Sequence, residues 1–296
     1  ILITGSSGFI GKSLLKIFEK GNHNILCINR VKQNYKSKNI TQIISPIEKI
    51  NLKYKKINKF KPQIVINLAW HGIPNYGFKN SIKNLDNSIK FFNTICKIDS
   101  VKKIVNTGSC WEAGIKNGSL KSNIWNPDNY FTWAKYSLFK WLNLLSKSKK
   151  IDIVWLRLFY IYGPNQNNHS LIPTLYHSLK KENPKLNINT PFDSVDFLHV
   201  DDCAKAIAKS CNKKIKTNNF NIGSGKSTYI YKICKLVEKN ILNSTHKTEE
   251  VMKITKNKIK TNFYANISKT KSQLNWKPKI NIIDGINKTI SSMNSK

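Results

Sequence analysis

Three glycines near the start of the chain, Gly5, Gly8 and Gly11, are spaced G-x-x-G-x-x-G directly after the apolar run Ile1-Leu2-Ile3-Thr4. This spacing suits a phosphate. The first glycine permits a tight turn, the second lets backbone approach a pyrophosphate, and the third lets a helix pack closely on a strand. A glycine pattern alone is weak, but its place between an apolar strand and an amphipathic helix makes it a dinucleotide-binding turn. The next apolar strand ends on Asn29-Arg30, where NAD-binding chains usually carry Asp or Glu to accept from the ribose 2′-hydroxyl. A guanidinium there pairs with a 2′-phosphate. NADP is therefore the expected cofactor, with NAD as the alternative.

The elements that must hold this site alternate. Strands are expected at 1–4, 24–29, 41–44, 63–68, 103–107 and 153–158, and helices at 11–20, 78–99 and 130–146. Near-continuous apolar strands alternating with helices read as a parallel sheet covered on both faces. After Gly163-Pro164 the rhythm changes: helices at 170–181, 201–210 and 229–240, a short apolar segment at 195–200, a strand at 220–222, and a tail with a last helix within 266–290. The fold class expected is α/β, a doubly wound Rossmann sheet with a smaller, mainly C-terminal substrate domain. Residues 1–163, with 195–223 returning to them, are assigned to the dinucleotide-binding domain, and 164–194 and 224–296 to the substrate domain.

The chain of 296 residues is 40% apolar with seven tryptophans, which excludes disorder. Its formal net charge is +34, yet only Arg30 and Arg157 are arginines. Lysine lacks the fork that phosphate and base recognition favour. The excess, alongside abundant Asn and Ile, reads as a solvated lysine surface from AT-rich coding, and no specific nucleic acid is expected. Steering of an anionic substrate and incidental polyanion binding are the alternatives. The six scattered cysteines form no metal-ligand spacing, so buried reduced thiols and no metal are expected. No signal peptide and no apolar run of bilayer length is read, so a cytoplasmic protein without a membrane partner is expected. Absence of an initiator Met, with a start inside a strand, predicts a trimmed N-terminus.

Further segments extend the pattern: Asn67-Leu68-Ala69-Trp70, Asn84-Leu85-Asp86-Asn87-Ser88, RLFYIYGP at 157–164, DFLHVDD at 196–202, FNIGSG at 220–225 and the closing Leu274-Asn275-Trp276-Lys277-Pro278. With TGSSGFIG at 4–11, these make the chain resemble, over essentially its whole length, the extended short-chain dehydrogenase/reductase family of NAD(P)-dependent nucleotide-sugar epimerases and dehydratases. Segments 70–76 and 108–114 look closest to its sugar-nucleotide 4-ketoreductases, such as dTDP-6-deoxy-L-talose 4-dehydrogenase and CDP-abequose synthase. The resemblance implies a nucleotide-sugar substrate, hydride transfer at sugar C4, and a homodimer. It implies that Gly5, Gly8, Phe9, Ile10, Gly11, Arg30, Leu68, Ala69, Trp70 and Lys135 hold the cofactor. It implies that Ser109 holds the substrate oxygen, Lys135 binds the nicotinamide ribose, and Asn84 organises a proton-relay water.

The family's proton-transferring Tyr stands four residues before the Lys, but here that position is Phe131. Tyr130 is one residue further back, about 140° round the helix from Lys135. It serves only if the helix starts irregularly there. Catalysis by Ser109, Lys135, Asn84 and Tyr130 and a catalytically impaired dinucleotide-binding relative are therefore the competing expectations. Cys110-Trp111 replaces the Asp-Glu of dehydratases, which argues against 4,6-dehydration. Val195 replaces an Arg that clamps the substrate diphosphate, and Tyr160 replaces a usual Asn. His71 follows the fourth strand, where it is a substrate contact or a loop residue. His199 reads as a core histidine.

Overall fold

A computed structural model describes residues 1–255 and 259–295. In chain order the elements are β1 (Leu2–Thr4), α1 (Phe9–Phe18), β2 (Ile25–Asn29), β3 (Ile40–Ile44), α2 (Tyr54–Phe60), β4 (Ile64–Asn67), α3 (Phe78–Ile95), β5 (Lys103–Ser109), β6 (Asn117–Leu120), α4 (Tyr130–Lys149), β7 (Asp152–Leu158), β8 (Tyr160–Tyr162), α5 (Leu171–Leu179), β9 (Ser194–Val195), β10 (Phe197–His199), α6 (Val200–Ser210), β11 (Asn218–Ile222), β12 (Thr228–Tyr229), α7 (Ile230–Leu242), α8 (His246–Ile254), β13 (Asn262–Ala265), α9 (Ser268–Leu274) and α10 (Ile282–Asn294). Short 3₁₀ segments occupy Ile47–Lys53 and Cys110–Ala113.

Among the described residues, seven strands pair in the order β11-β7-β5-β4-β1-β2-β3, each pair parallel. This is the doubly wound α/β arrangement. The order reverses between β1 and β4, and such switch points open a crevice at the carboxyl ends of the strands. The inner strands β1, β2, β4 and β7 are apolar on both faces because both are covered, whereas the edge strands β3 and β11 are more polar. Along β7, Ile153 and Trp155 face a core containing Phe91, Phe92 and Leu138, while Val154 and Leu156 face Leu14, Phe18 and Ile207. That alternation is the two-residue period of a strand, with α3 and α4 covering one face and α1 and α6 the other.

A second core gathers Phe159, Tyr162, Leu175, Val195, Ile233, Phe263 and Ile286. It lies under a four-stranded sheet in the order β12-β9-β13-β6 and the parallel pair β8–β10. β6 belongs to this small sheet although it sits between β5 and α4 in the chain, inside the 1–163 stretch. α2, α8 and β13 are elements that the hydrophobic pattern does not announce. All six cysteines are buried and unpaired, and no described helix is long and apolar enough to cross a membrane.

Asp196, between β9 and β10, ties the layers together. Its fully buried carboxylate accepts from the Ser224 N–H (2.6 Å) and hydroxyl (2.7 Å), the Gly225 N–H (2.9 Å) and the Ala265 N–H (3.0 Å). Burial pushes this carboxyl up, and the donors oppose the shift. Asp196→Ala leaves these donors unpaired and is expected to cost about 2–4 kcal/mol in urea unfolding. A loss below about 1 kcal/mol would show that the joint is held by something else.

Candidate active site

The glycine turn forms as the spacing requires. Gly5 has φ +72°, and an added Cβ there would press on Leu68 and Ala69 backbone at 3.0 Å. At Gly11 a Cβ would run into the Gly5 carbonyl and lie 2.6 Å from the Ser6 Cα, so α1 reaches the sheet only with glycine there. Gly8 caps α1 without a side chain. The first N–H groups of the helix thus face outward unpaired, with the positive end of the helix dipole behind them. A cleft of about 310 Å³ opens in front, lined by Thr4, Gly5, Ser7, Gly8, Asn29, Arg30, Ser45, Glu48, Leu68, Ala69, Trp70, His71, Lys83, Asn84, Asn87 and Ser88, among others. The cradle and its cleft fit a dinucleotide. Phe9 and Ile10 sit in the first turn of α1, where their backbone serves the cradle and their side chains do not line the cleft. Ser45, Glu48, Lys83 and Asn87 are cleft residues missed in the sequence. The last two face it because they flank Asn84 at helical spacing on α3.

The end of β2 carries no acid. Both polar atoms of the Asn29 amide are spent: Oδ1 accepts from Ser6 (2.8 Å) and Nδ2 donates to the Tyr35 hydroxyl (2.7 Å). Exposed Arg30 meets His71 Nδ1 at 2.9 Å, and both residues line the cleft. His71 is therefore part of the cleft wall. Asn84 is buried, and its amide binds the 70–77 loop: Oδ1 accepts from His71 N–H (2.7 Å) and Nδ2 donates to His71 O (3.0 Å). Those bonds make it a loop brace, with its polar atoms already paired.

Ser109 ends β5, and Lys135 lies on the first turns of α4. The helix is tied to β5 two residues before Ser109, where the Lys135 ammonium donates to the Thr107 carbonyl at 2.9 Å. The ammonium also sits 4.0 Å over the Trp70 ring, and burial lowers its pKa from 10.5 to about 8 against the opposing pull of Glu112. Phe131 packs edge-on to Trp70 (5.7 Å) and against Tyr76 (4.8 Å). Trp70 Nε1 is buried without a hydrogen-bond partner.

Tyr130 is not the proton donor that an irregular helix start would have made it. Asn129 caps α4 in a regular box with Thr132 (3.0 Å and 3.2 Å), so the helix is well formed from Tyr130 onward. Tyr130 is 57% exposed and its ring packs on Phe78 (5.2 Å), away from Lys135. His199 is buried as expected. Its Nδ1 accepts the Asp201 N–H at 3.2 Å, but Nε2 has no partner.

A charge cluster missed in the sequence fixes the strand end. Glu112 is fully buried: Oε1 accepts the Ser109 N–H (2.6 Å) and Oε2 the Trp155 indole (3.0 Å). Arg157 stands 3.6 Å away, stacks on Trp125 at 4.2 Å and donates to the Ile124 carbonyl (2.9 Å). Burial raises the Glu112 carboxyl, while Arg157 draws it down. The signal was the apparent mismatch of a Glu within the apolar stretch after Ser109.

A second cavity of about 380 Å³ lies on the other side of Phe131's aromatic neighbours. It is lined by Ile73, Tyr76, Tyr160, Tyr162, Leu171, Val195 and Phe197, among others. Val195, standing where the diphosphate clamp was expected, is buried in an apolar wall.

Residues 1–223 match the model of the NAD dependent epimerase/dehydratase family. The chain belongs to this family. It is 30% identical to the dTDP-D-glucose 4,6-dehydratase of Dictyostelium discoideum over 76% of this chain, which spans 58% of that protein. It is 26% identical to the GDP-6-deoxy-D-talose 4-dehydrogenase of Aggregatibacter actinomycetemcomitans, covering 80% of this chain and 78% of that one. The UDP-glucuronic acid 4-epimerase of Bacillus cereus, solved in complex with NAD, shares the fold with a TM-score of 0.81 at 21% identity, over 99% of this chain and 98% of that one.

Two outcomes follow for the buried charged pair and the lysine. Glu112→Ala strands the buried Arg157 and is expected to cost about 3–5 kcal/mol, with Glu112→Leu/Arg157→Met recovering much of it in denaturant unfolding. No recovery would mean that the pair's charges are not what the fold misses. For Lys135, the folded pKa lies below the unfolded one, so the unfolded chain binds more protons between about 8 and 10.5, and this group makes the fold more stable as pH rises through that window. Lys135→Met removes the penalty. Its stability advantage over the native chain is expected to be largest near about pH 7 and to shrink toward about pH 10. An advantage independent of pH would refute a depressed lysine.

Proposed function

We propose that this protein is an NADP-dependent oxidoreductase acting at C4 of a nucleotide-activated sugar, a 4-ketoreductase in type. The observation that supports the reading is that Lys135, held on the Thr107 carbonyl two residues before Ser109, rests its ammonium on Trp70, a wall of the cleft in front of the glycine cradle. The nicotinamide, when bound, supplies or takes the hydride. The chain's own part is positioning. The α1 N-terminus takes the pyrophosphate, and Lys135, whose ammonium rests on Trp70 at the cleft wall, binds the nicotinamide ribose. Ser109 Oγ, at the strand end, offers a hydrogen bond to the sugar oxygen.

Arg30 carries the preference for NADP. With Asn29 committed to Ser6 and Tyr35, no carboxylate at the end of β2 repels a 2′-phosphate, and the exposed guanidinium is free to exchange His71 for it. The relatives whose names and complexes specify NAD keep that cofactor as the alternative. Cys110 and Trp111 after Ser109 supply no acid pair for elimination, and Glu112 is locked into the strand end, which favours reduction over 4,6-dehydration. The sugar is assigned to the second cavity, with 164–194 and 224–296 as the substrate-binding part and 1–163 with 195–223 as the cofactor-binding part. A second reading, a catalytically impaired relative, draws on Phe131 alone, and the retained Ser109 and Lys135 weigh against it.

The test is a fluorescence titration with NADPH and NADH, followed by turnover on 4-keto-6-deoxy nucleotide sugars. NADPH is expected to bind about tenfold more tightly than NADH, with Arg30→Ala abolishing the difference. Preference for NADH would refute the Arg30 assignment, and binding of neither would overturn the whole reading.

A further inference from the structure

Phe131 leaves the proposed reaction without a phenol on α4, yet a phenol stands against it. The Tyr76 ring lies 4.8 Å from the Phe131 ring, inclined by 50°. Other phenols near the start of α4 point elsewhere: Tyr130 packs on Phe78 at 5.2 Å and Tyr136 on Trp125 at 5.2 Å. Tyr76 also lines the second cavity, so one ring touches both the vacated acid position and the proposed sugar space.

This placement is built by the fold. The 70–77 loop is pinned to the first turns of α3 by side-chain amides. Asn84 holds both backbone groups of His71. Asn80 Nδ2 donates to the carbonyls of His71 (3.0 Å) and Asn75 (2.7 Å). The Ser81 hydroxyl donates to the Tyr76 carbonyl itself at 3.3 Å, and the Gly77 N–H to Asn75 Oδ1 at 3.1 Å. Gly72, at φ +80°, turns the chain inside this brace. The backbone carrying Tyr76 is thus fixed on both sides, which is what a group meeting a reacting atom needs.

We propose, on the basis of the nucleotide-sugar reading, that Tyr76 is the catalytic acid–base of this protein, exchanging the proton with the sugar C4 oxygen in place of the phenol that α4 lacks. In the reductive direction the carbonyl carbon gains a hydride from the reduced dinucleotide, the C=O π bond breaks, and the oxygen takes the proton of Tyr76 Oη. The resulting phenolate regains a proton from water, to which Tyr76, at 47% exposure, has access. Oxidation runs the same transfers backwards. Burial, aided by the neighbouring Cys110, raises the phenol above its ordinary value, which keeps it protonated at neutral pH as an acid must be.

The experiment compares the native chain with Tyr76→Phe in two readouts. In steady-state reduction of dTDP-, GDP- and UDP-linked 4-keto-6-deoxy sugars, kcat is expected to fall about 10²–10³-fold while KM rises by no more than about tenfold and the NADPH dissociation constant stays within about twofold. In calorimetric binding of UDP-glucose and UDP-4-deoxyglucose without turnover, the native chain is expected to prefer the 4-hydroxyl by about tenfold and Tyr76→Phe to show no preference. A Tyr76→Phe protein that keeps kcat within about threefold, or keeps the 4-hydroxyl preference, overturns the assignment and leaves the nucleotide-sugar reading standing. A native chain that binds no dinucleotide and neither binds nor turns over any of these sugars overturns both.

Discussion

The buried Glu112–Arg157 pair is the constraint on which the site depends. One carboxylate holds the Ser109 N–H, the Trp155 indole and the guanidinium, and Arg157 in turn holds the 124 carbonyl and the Trp125 face. Strand β5 therefore ends at a fixed place, with Ser109 at its tip and Thr107 presenting its carbonyl to Lys135. Two charges removed from water need partners to repay their desolvation, and here they have several, although Arg157 Nε itself is left without a hydrogen bond. The same carboxylate's pull on Lys135 keeps that ammonium from losing still more of its basicity. A stability element and a chemical element are thus one network.

Between the dinucleotide cleft and the second cavity stand Trp70, Phe131 and Tyr76, ring against ring. Trp70 faces the cleft, Tyr76 faces the cavity, and Phe131 touches both. Under the proposed function this aromatic partition stands where cofactor and sugar would meet. It also sets the dielectric surroundings of Lys135, whose charge rests on the Trp70 face. The second cavity has a largely apolar and aromatic wall that includes Val195, with polar groups from Gln166, Asn167, His169 and Ser170 along one stretch of it.

Much of this was legible in the sequence, for identifiable reasons. The glycine turn is legible because backbone conformation and close packing leave no other residue at Gly5 and Gly11. The centre of the seven-stranded sheet is legible because strands such as β1, β2, β4 and β7, buried on both faces, carry near-unbroken apolar runs; the more polar edges β3 and β11 are less marked. β6 is not: its Asn117, Gly118 and Ser119 are exposed and give no alternation, so only pairing with β13 defines it. Glu112 gives only a faint signal in the sequence, an acid in an apolar stretch, and no pattern assigns it a partner. Its meaning comes from Arg157, distant in sequence and adjacent in space. Tyr76 is hidden likewise, since helical spacing relates it to nothing on α4. Tyr130 shows the converse, a residue near in sequence that a regular helix cap turns away.

The amide brace on the 70–77 loop has an evolutionary consequence. Proton chemistry assigned to that loop is separated from the helix that carries Lys135 and from the turn that carries the cofactor. Asn80, Ser81 and Asn84 recognise loop backbone and are indifferent to which side chain sits at position 76. The side chain at position 76 can therefore change without loosening the brace that holds the loop, whereas Trp70 and His71 at its start are tied to the cleft.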